Sequence, residues 1–433
     1  MPNSFKRWQK RRIDKALTDR RVVLLNGARQ CGKTTLARSL EEDGVTYRTL
    51  DDETLRRAAR NDPAAFVTHE GRTLIIDEIQ HVPELLSAIK MIVDEDTRPG
   101  QYLLTGSANL NAIPSAKESL AGRIAKVRLR PLAMGEIEGA EPDFLSHALN
   151  GSLKNDRSKL SRSELFELAF RGGYPEVLTL SPESREDWHK DYVEALLDRD
   201  LREIRKIHNV QSMRELVTVL AAWSSKFLDI AKINDKLSIK RPTVEAYINA
   251  LEALFLVDRL PAWTKTDYQR VGKADKLFMS DSGLMAAILD WRLDQVELDP
   301  DRSGKLIETF AFTQIAAMVD NDRDLSLSHY RDWEQREIDF LVERKSDGAM
   351  LGIEVKASST IGKGDFKHLA WFRDNLAKDR SFQGIVLYSG QELLSFGDRL
   401  TAVPFNVMWS VKTSSNFQDQ ESPREQPLQK EDR

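Results

Sequence analysis

The sequence predicts a three-part α/β chain: a parallel sheet first, a mainly helical middle, then a second α/β domain. Three observations carry this. Short apolar runs (RVVLLNG, TYRTLDD, RTLIIDE, QYLLTGS and KVRLRPL) alternate with helical segments up to about residue 140, as strands of a covered parallel sheet do. In the middle, Ile230 and Ile233, then Val244, Tyr247, Ile248, Leu251 and Leu254, recur with helical spacing. From Lys305 the order reads αβββαβ: LIETFAFTQIAAMV, then SLSHYRD, REIDFLVE and AMLGIEVKA, a helix from Asp365, and GIVLYS.

A chain of 433 residues has room for about three domains at roughly 150 residues each. Its 41% hydrophobic and 30% charged residues suit a soluble globular protein. Lys+Arg 64 against Asp+Glu 68 gives a net charge of -4. That excludes a uniformly basic coat for nucleic acid and leaves a local basic surface open. The single Cys31 excludes an internal disulfide and a cysteine-built zinc site. No apolar run reaches the ~18 residues of a membrane span. The basic start (Lys6, Arg7, Lys10, Arg11, Arg12) lacks the apolar core of a secretory signal. The expectation is a cytoplasmic protein with no membrane partner.

The expected boundaries are 1–140 for the first domain, 141–210 for a helical linker region, 211–290 for the middle domain and 300–412 for the last. The polar stretch GSLKNDRSKLSRSE from Gly151 reads as a linker or solvated helix. Residues 413–433, rich in Gln, Ser and Glu without periodicity, read as a disordered tail.

The first domain carries a phosphate-binding loop. Gly27-Ala28-Arg29-Gln30-Cys31-Gly32-Lys33-Thr34 fits G-x-x-x-x-G-K-[ST], follows the strand VVLLN and opens the helix TLARSLEE with Thr35 in its first turn. That strand–loop–helix setting is what the motif requires. Backbone N–H groups and the helix N-terminus attract phosphate. Lys33 should reach the β- and γ-phosphates of ATP and Thr34 should hold Mg²⁺. The next conspicuous strand, Leu74-Ile75-Ile76, ends in Asp77-Glu78. Asp77 suits the Mg²⁺ shell, and Glu78 can polarise the attacking water. Thr105, Ser107 and Asn109, past QYLL, stand where a γ-phosphate sensor would, or form an ordinary turn. Arg123 is a candidate phosphate contact in cis or from a neighbouring subunit, or a surface arginine. This domain is therefore read as a P-loop NTPase sheet.

The middle, KINDKLSIKRPTVEAYINALEALFLV, reads as helix–turn–helix, with VDRLPAW and KADKLFMSD as two strands after it. That is a winged-helix layout. Lys240, Arg241 and Thr243, with Asn249, would face a DNA groove. Lys236, Lys265, Arg270, Lys273 and Lys276 add local positive charge. Winged helices also serve as protein contacts, so both uses stay open.

In the last domain, residues i and i+2 of a strand share a face, so Glu354 pairs with Lys356 and Glu337 with Asp339. Two strands can then gather Asp339, Glu354 and Lys356, with Glu308 added from the preceding helix. Two carboxylates and a lysine can hold Mg²⁺ and activate water. The pattern and the αβββαβ order resemble the PD-(D/E)xK restriction-endonuclease-like fold, although Ile338 stands where its proline would. An active nuclease, a binding-only relative and an unrelated sheet with charged strand ends all remain open.

Taken together, NGARQCGKTTL, TLIIDEIQHVPEL, LLTGSANL, LAGRIAKVRLRPLAMGEI, RPTVEAYINALEALFLVDRLPAW, KLFMSDSGL and REIDFLVE…GIEVKAS resemble prokaryotic AAA-type, STAND-like P-loop ATPases with a C-terminal domain of unknown function. The resemblance implies an ATPase core, a winged helix and a nuclease-like terminus. The expected function is Mg²⁺-dependent ATP hydrolysis coupled to DNA, with a protein partner or homo-oligomer not excluded. The alternative is a slow nucleotide-gated switch acting through protein contacts, with an inactive nuclease-like domain.

Overall fold

A computed structural model describes residues 5–107, 122–154, 158–200, 210–237, 239–266 and 273–410. Five parallel strands form the first sheet: β1 (Val22–Gly27), β2 (Val45–Thr49), β3 (Thr73–Asp77), β4 (Tyr102–Gly106) and β5 (Ile124–Leu129), in the order β2-β3-β4-β1-β5. Alternation along the strands feeds two cores. Val23, Leu25, Ile75 and Leu103 face one side, while Val22, Leu24, Leu74, Ile76 and Leu104 face the other. Burial on both faces is why these runs are almost continuously apolar. The short helices on this sheet start at side-chain caps: Asp52 accepts from the N–H groups of Thr54 and Leu55, and Asp62 from Ala65.

The middle runs helix (Val210–Trp223), β6 (Lys226–Phe227), helix (Ile230–Asn234), helix (Arg241–Ala253), β7 (Val257–Leu260) and β8 (Lys276–Met279). β8 lies between β6 and β7, antiparallel to both. The two-residue β6 leaves no pattern in the sequence because a strand that short has no period. Asp229 caps the second helix through the Lys232 N–H, and Pro242 sits in the first turn of the third.

The last sheet has six strands: β9 (Leu325–Arg331), β10 (Glu337–Arg344), β11 (Met350–Lys356), β12 (Phe382–Tyr388), β13 (Leu394–Gly397) and β14 (Leu400–Pro404), in the order β13-β14-β12-β11-β10-β9. The αβββαβ order is present, with the helices Pro300–Asn321 and Lys367–Asn375. A β13–β14 hairpin extends it. β13 is mostly exposed and short, which hid it from a pattern search.

The stretch after the first sheet is not a free linker. Phe144, Leu145, Ala148 and Leu149 are buried in the core shared with the last sheet. The polar run from Gly151 leads into a helix, Arg162–Arg171, started by a Ser161/Glu164 capping box. One apolar core continues from Leu25 and Val127 through Leu251 and Phe278 to Phe340 and Ile353. The proposed tail, Ser238 and Arg270 lie outside the described residues. No described helix is long and apolar enough to cross a membrane.

Candidate functional site

The phosphate loop stands between β1 and the helix Lys33–Arg38. Gln30 and Gly32 take left-handed backbone, φ 58° and 98°, which turns the chain tightly enough to aim several N–H groups inward. Gly27 must be glycine, since a Cβ there would lie 2.0 Å from the Leu129 carbonyl oxygen. Lys33 is buried, and its ammonium donates to the carbonyls of Gly27 (3.2 Å) and Ala28 (2.9 Å). The loop is also clamped from outside. Arg7 donates to the Cys31 carbonyl (2.7 Å), the Arg130 carbonyl (2.6 Å) and Glu136 (3.0 Å). Tyr192 donates to the Arg29 carbonyl (3.2 Å). Cys31 is buried, its Sγ 3.5 Å from the Leu129 carbonyl.

Across the sheet end, Thr34 Oγ1 donates to Asp77 Oδ2 (2.9 Å). Tyr47 donates to the same oxygen (2.7 Å) and Thr105 to Asp77 Oδ1. Burial pushes the Tyr47 hydroxyl up to about 12, with the neighbouring Asp77 carboxylate adding to it. Glu78 has left-handed backbone, φ 58° and ψ 47°. Its N–H donates to Thr105 Oγ1 (3.0 Å), and its carboxylate accepts from Gln80, whose amide also reaches Ser107 (3.0 Å). A threonine hydroxyl and an aspartate in contact, beside a phosphate cradle, fit a hexacoordinate Mg²⁺ that takes one or two protein oxygens.

Thr105 and Ser107 therefore hold Asp77 and the Glu78–Gln80 pair, and do not stand alone in the loop. Asn109 lies outside the described residues. Arg123 is removed from a cis role. It pairs with Asp94 and precedes Ile124, which is in register with Val22 at the far end of β1. Five strand residues, about 17 Å, separate that end from Gly27. The N-terminal basic run is split between buried and exposed members, with Lys6, Lys10 and Arg11 exposed in surface ion pairs. Arg7 is buried as described, Arg12 donates to the Asp320 carbonyl, and Lys6 and Arg11 pair with Glu141.

A second polar centre lies in the last sheet. β10 and β11 pair with Phe340 opposite Ile353, which sets Asp339 beside Glu354. Both are buried. Asp339 Oδ2 accepts the Val355 N–H (3.0 Å), and Lys356 lies 3.6 Å from Glu354 Oε2. Glu308 joins them. The sequence reading put Lys276 on a positive surface; instead its side chain runs inward from β8 and is 1% exposed. Its ammonium meets Glu308 (2.6 Å), Glu337 (2.9 Å) and Asp339 (3.0 Å). Burial alone would lower the Lys276 pKa, but the Asp339, Glu308 and Glu337 carboxylates outweigh it and hold the group charged. Burial, reinforced by Asp339, pushes the Glu354 carboxyl well up, and Glu308 is raised in the same way.

Divalent metal does not fit this arrangement as it stands. Mg²⁺ needs oxygens at about 2.0–2.1 Å, whereas three carboxylates already close on an ammonium, and both Asp339 oxygens are engaged. Among the described residues no group of three or more His, Cys, Asp or Glu side chains is disposed to hold a metal ion.

Beside this centre, a groove of about 740 Å³ opens between the helix–turn–helix and the last sheet. Lys226, Phe227, Lys232, Arg241, Arg331 and Glu337 line it. Arg331 stacks on Phe227 at 4.2 Å. Lys240 is exposed and Thr243 partly so, while Asn249 is engaged by Arg259.

Sequence reasoning missed Tyr47, Gln80, Arg7, Glu337's role and Lys276. Gln80 follows Asp77-Glu78 closely enough to have been found by proximity. Lys276 opens a strand after a polar stretch, KAD, and locally looks exposed.

Three family models match the chain. Residues 19–138 match the family model described as an AAA domain, 162–295 match domain of unknown function DUF8612, and 303–408 match domain of unknown function DUF4143. An uncharacterised protein of Mycobacterium tuberculosis is 29% identical over 397 residues, covering 91% of this chain and 82% of that protein. An uncharacterised protein of Methanocaldococcus jannaschii is 24% identical over 278 residues, covering 59% and 60%. Among solved structures, AMPPCP-bound DnaA from Aquifex aeolicus overlaps with a TM-score of 0.26 at 14% identity, covering 56% of this chain and 85% of that one. The Thermotoga maritima RuvB Holliday junction branch migration motor overlaps at 0.25 and 16%, covering 60% and 93%. Those scores are too low to add to the argument. The phosphate loop, the parallel sheet and the family match make the N-terminal domain an AAA-type P-loop ATPase domain.

Proposed function

We propose that this protein hydrolyses ATP with Mg²⁺ and uses the nucleotide state to change how its middle and C-terminal parts engage DNA. The Thr34–Asp77 contact beside the Lys33 loop, with Glu78 next to it, carries the reading. Lys33 would leave its two carbonyl partners for the β- and γ-phosphates. Thr34 and Asp77 would hold Mg²⁺, which when bound neutralises charge developing on the phosphates. Glu78 takes a proton from the attacking water, with Gln80 fixing its carboxylate and Ser107 fixing Gln80.

The support for DNA is the groove, where Lys226, Lys232, Arg241 and Arg331 supply positive charge and Phe227 an aromatic face. The helix–strand–helix–helix–strand–strand order supports the winged-helix reading, with Lys240, Arg241 and Thr243 at the exposed start of the third helix. The Asp339–Glu354–Lys356 constellation on an αβββαβ frame supports a nuclease-like ancestry. Lys276 within it favours a second reading, in which this domain does not cut and the protein is a slow nucleotide-gated switch.

Lys33→Ala tests the ATPase. Turnover should fall at least about a hundredfold, a loss of roughly 2.7 kcal/mol or more in transition-state stabilisation. ATP binding should weaken as well. Unchanged turnover and affinity would sink the proposal. ATPase rate with and without DNA separates the two readings, since only the first expects stimulation.

A further inference from the structure

The turn that joins β9 to β10 leaves one large aromatic side chain uncovered. Trp333 is 83% exposed, whereas every other tryptophan of the chain is at least partly buried. Its indole makes no hydrogen bond or ring contact among the described residues. The turn itself is braced. The Asp332 carboxylate accepts the Arg336 N–H (3.0 Å), Arg336 Nε (2.7 Å) and the Tyr330 hydroxyl (3.2 Å). Arg336 also pairs with Glu334, and its guanidinium lies 3.7 Å from the centre of the Trp371 ring. Gln335 has left-handed backbone, φ 62°, and its side chain accepts from Arg331. The indole is thus held out on a fixed backbone. A single exposed apolar residue is ordinary; what sets this one apart is where the turn lies.

Arg331 and Glu337 pair across β9 and β10 at the base of the turn, and both line the 740 Å³ groove. Trp333 is two residues beyond Arg331, so their Cα atoms are within about 8 Å. In the groove Arg331 lies over the Phe227 ring, and Lys226, Lys232 and Arg241 add positive charge. The two carboxylates of the lining are already engaged, Asp229 by Lys232 and Glu337 by Lys276. Phosphate is the complement of this lining, and a flat π surface is the complement of the indole beside it.

We infer that Trp333 stacks on an unpaired nucleobase, so that the groove takes single-stranded DNA in preference to duplex. The inference rests on reading the groove as a DNA site and adds which form of DNA it selects. Phosphates for the lysines and arginines are present in both forms. Open base faces are not. In a duplex the bases stack on one another, and the indole gains a contact only after a base step has been unstacked. In a single strand that step is already open, and every base offers a π face, so selection is by form and not by sequence. An apolar protein surface would cover the indole but would leave the groove cations without counter-charge.

The test is fluorescence anisotropy with the full chain at low salt, on a labelled single strand of about 20 nucleotides and on the same sequence closed into a duplex. Wild type, Trp333→Ala and Trp333→Phe are compared. The indole is exposed, so neither change removes a core contact. Wild type should bind the single strand more tightly than the duplex. Trp333→Ala should lose roughly tenfold on the single strand and little on the duplex, and Trp333→Phe, which keeps a ring, should recover most of the loss. Unchanged single-strand affinity in Trp333→Ala, or an equal loss on both forms, overturns the inference. DNA binding that Arg331→Ala still weakens leaves the groove reading intact in that case. If wild type binds neither form, both fall together. Unchanged DNA binding with self-association that Trp333→Ala abolishes would overturn the inference by assigning the indole to a protein contact.

Discussion

Glu78 combines two unusual properties: a left-handed backbone at a non-glycine residue and a carboxylate held by a neighbouring amide. Backbone strain of this kind costs of order 1–3 kcal/mol and collects at functional sites. Here it turns Glu78 out of the buried strand β3 while Asp77 stays fixed by Thr34, Tyr47 and Thr105. Adjacent carboxyls thus acquire different environments. In the second centre, residue-scale electrostatics has a measurable consequence. The Glu354 carboxyl is raised above the ordinary glutamate value of 4.5. Between that value and its folded pKa, the native protein holds a proton that the unfolded chain has released. Stability therefore falls as pH rises through this window. Urea midpoints measured from about pH 5 to 8 should decline in wild type and decline less steeply in Glu354→Gln, which has no proton to lose. Equal slopes would remove the buried-proton account.

At the scale of elements, strand β5 joins the phosphate-loop sheet to everything after it. It is paired with β1 along its whole length. Arg128 and, just past its end, Arg130 converge on Asp258 of β7, at 2.5 and 2.9 Å. Arg130 also reaches Asp320 at the end of the Pro300–Asn321 helix (2.6 Å). These two arginines hold the Asp258 carboxyl far below its usual range against the opposing effect of burial. Its contribution to stability is present above the ordinary aspartate pKa and is lost only as pH falls toward the depressed value. Removing one member of a buried ion cluster leaves charge uncompensated and costs about 3–5 kcal/mol. Asp258→Ala should show that loss in denaturant unfolding, far more than the ≲1 kcal/mol of an exposed pair. A loss below about 1 kcal/mol would mean that the arginines find other partners.

For the whole molecule, the sheets share a continuous core, so a change at the phosphate loop has a packed route outward. The clamp from Arg7 to Cys31, Arg130 and Glu136 ties the loop to the end of β5, and Asp258 on β7 is opposite Phe278 on β8. Lys276 is two residues earlier on that strand. This chain of contacts connects the phosphate loop physically to the strand that carries Lys276. DNA binding in the groove has its own test. Anisotropy titrations across a salt series should give a slope of log affinity against log salt reduced by about 1 for Arg331→Ala. An unchanged slope would place any DNA elsewhere.

Local sequence was enough to locate the phosphate loop, Asp77-Glu78 and most strands, because a P-loop is a local structure: one strand, one turn and one helix in succession. The sum of charges carried less. A net of -4 averaged groups that folding separates into buried clusters and exposed grooves, and two lysines three positions apart met opposite fates. Lys273 stays exposed while Lys276 is buried among carboxylates. Strand register set Arg123 at the end of the sheet away from its own phosphate loop, which the local sequence did not show. Chain order thus determined the elements and the nucleotide loop, whose chemistry depends on near neighbours. Only the tertiary structure decided which charges meet, because Lys276 and Asp339 are 63 residues apart and no local pattern encodes that distance.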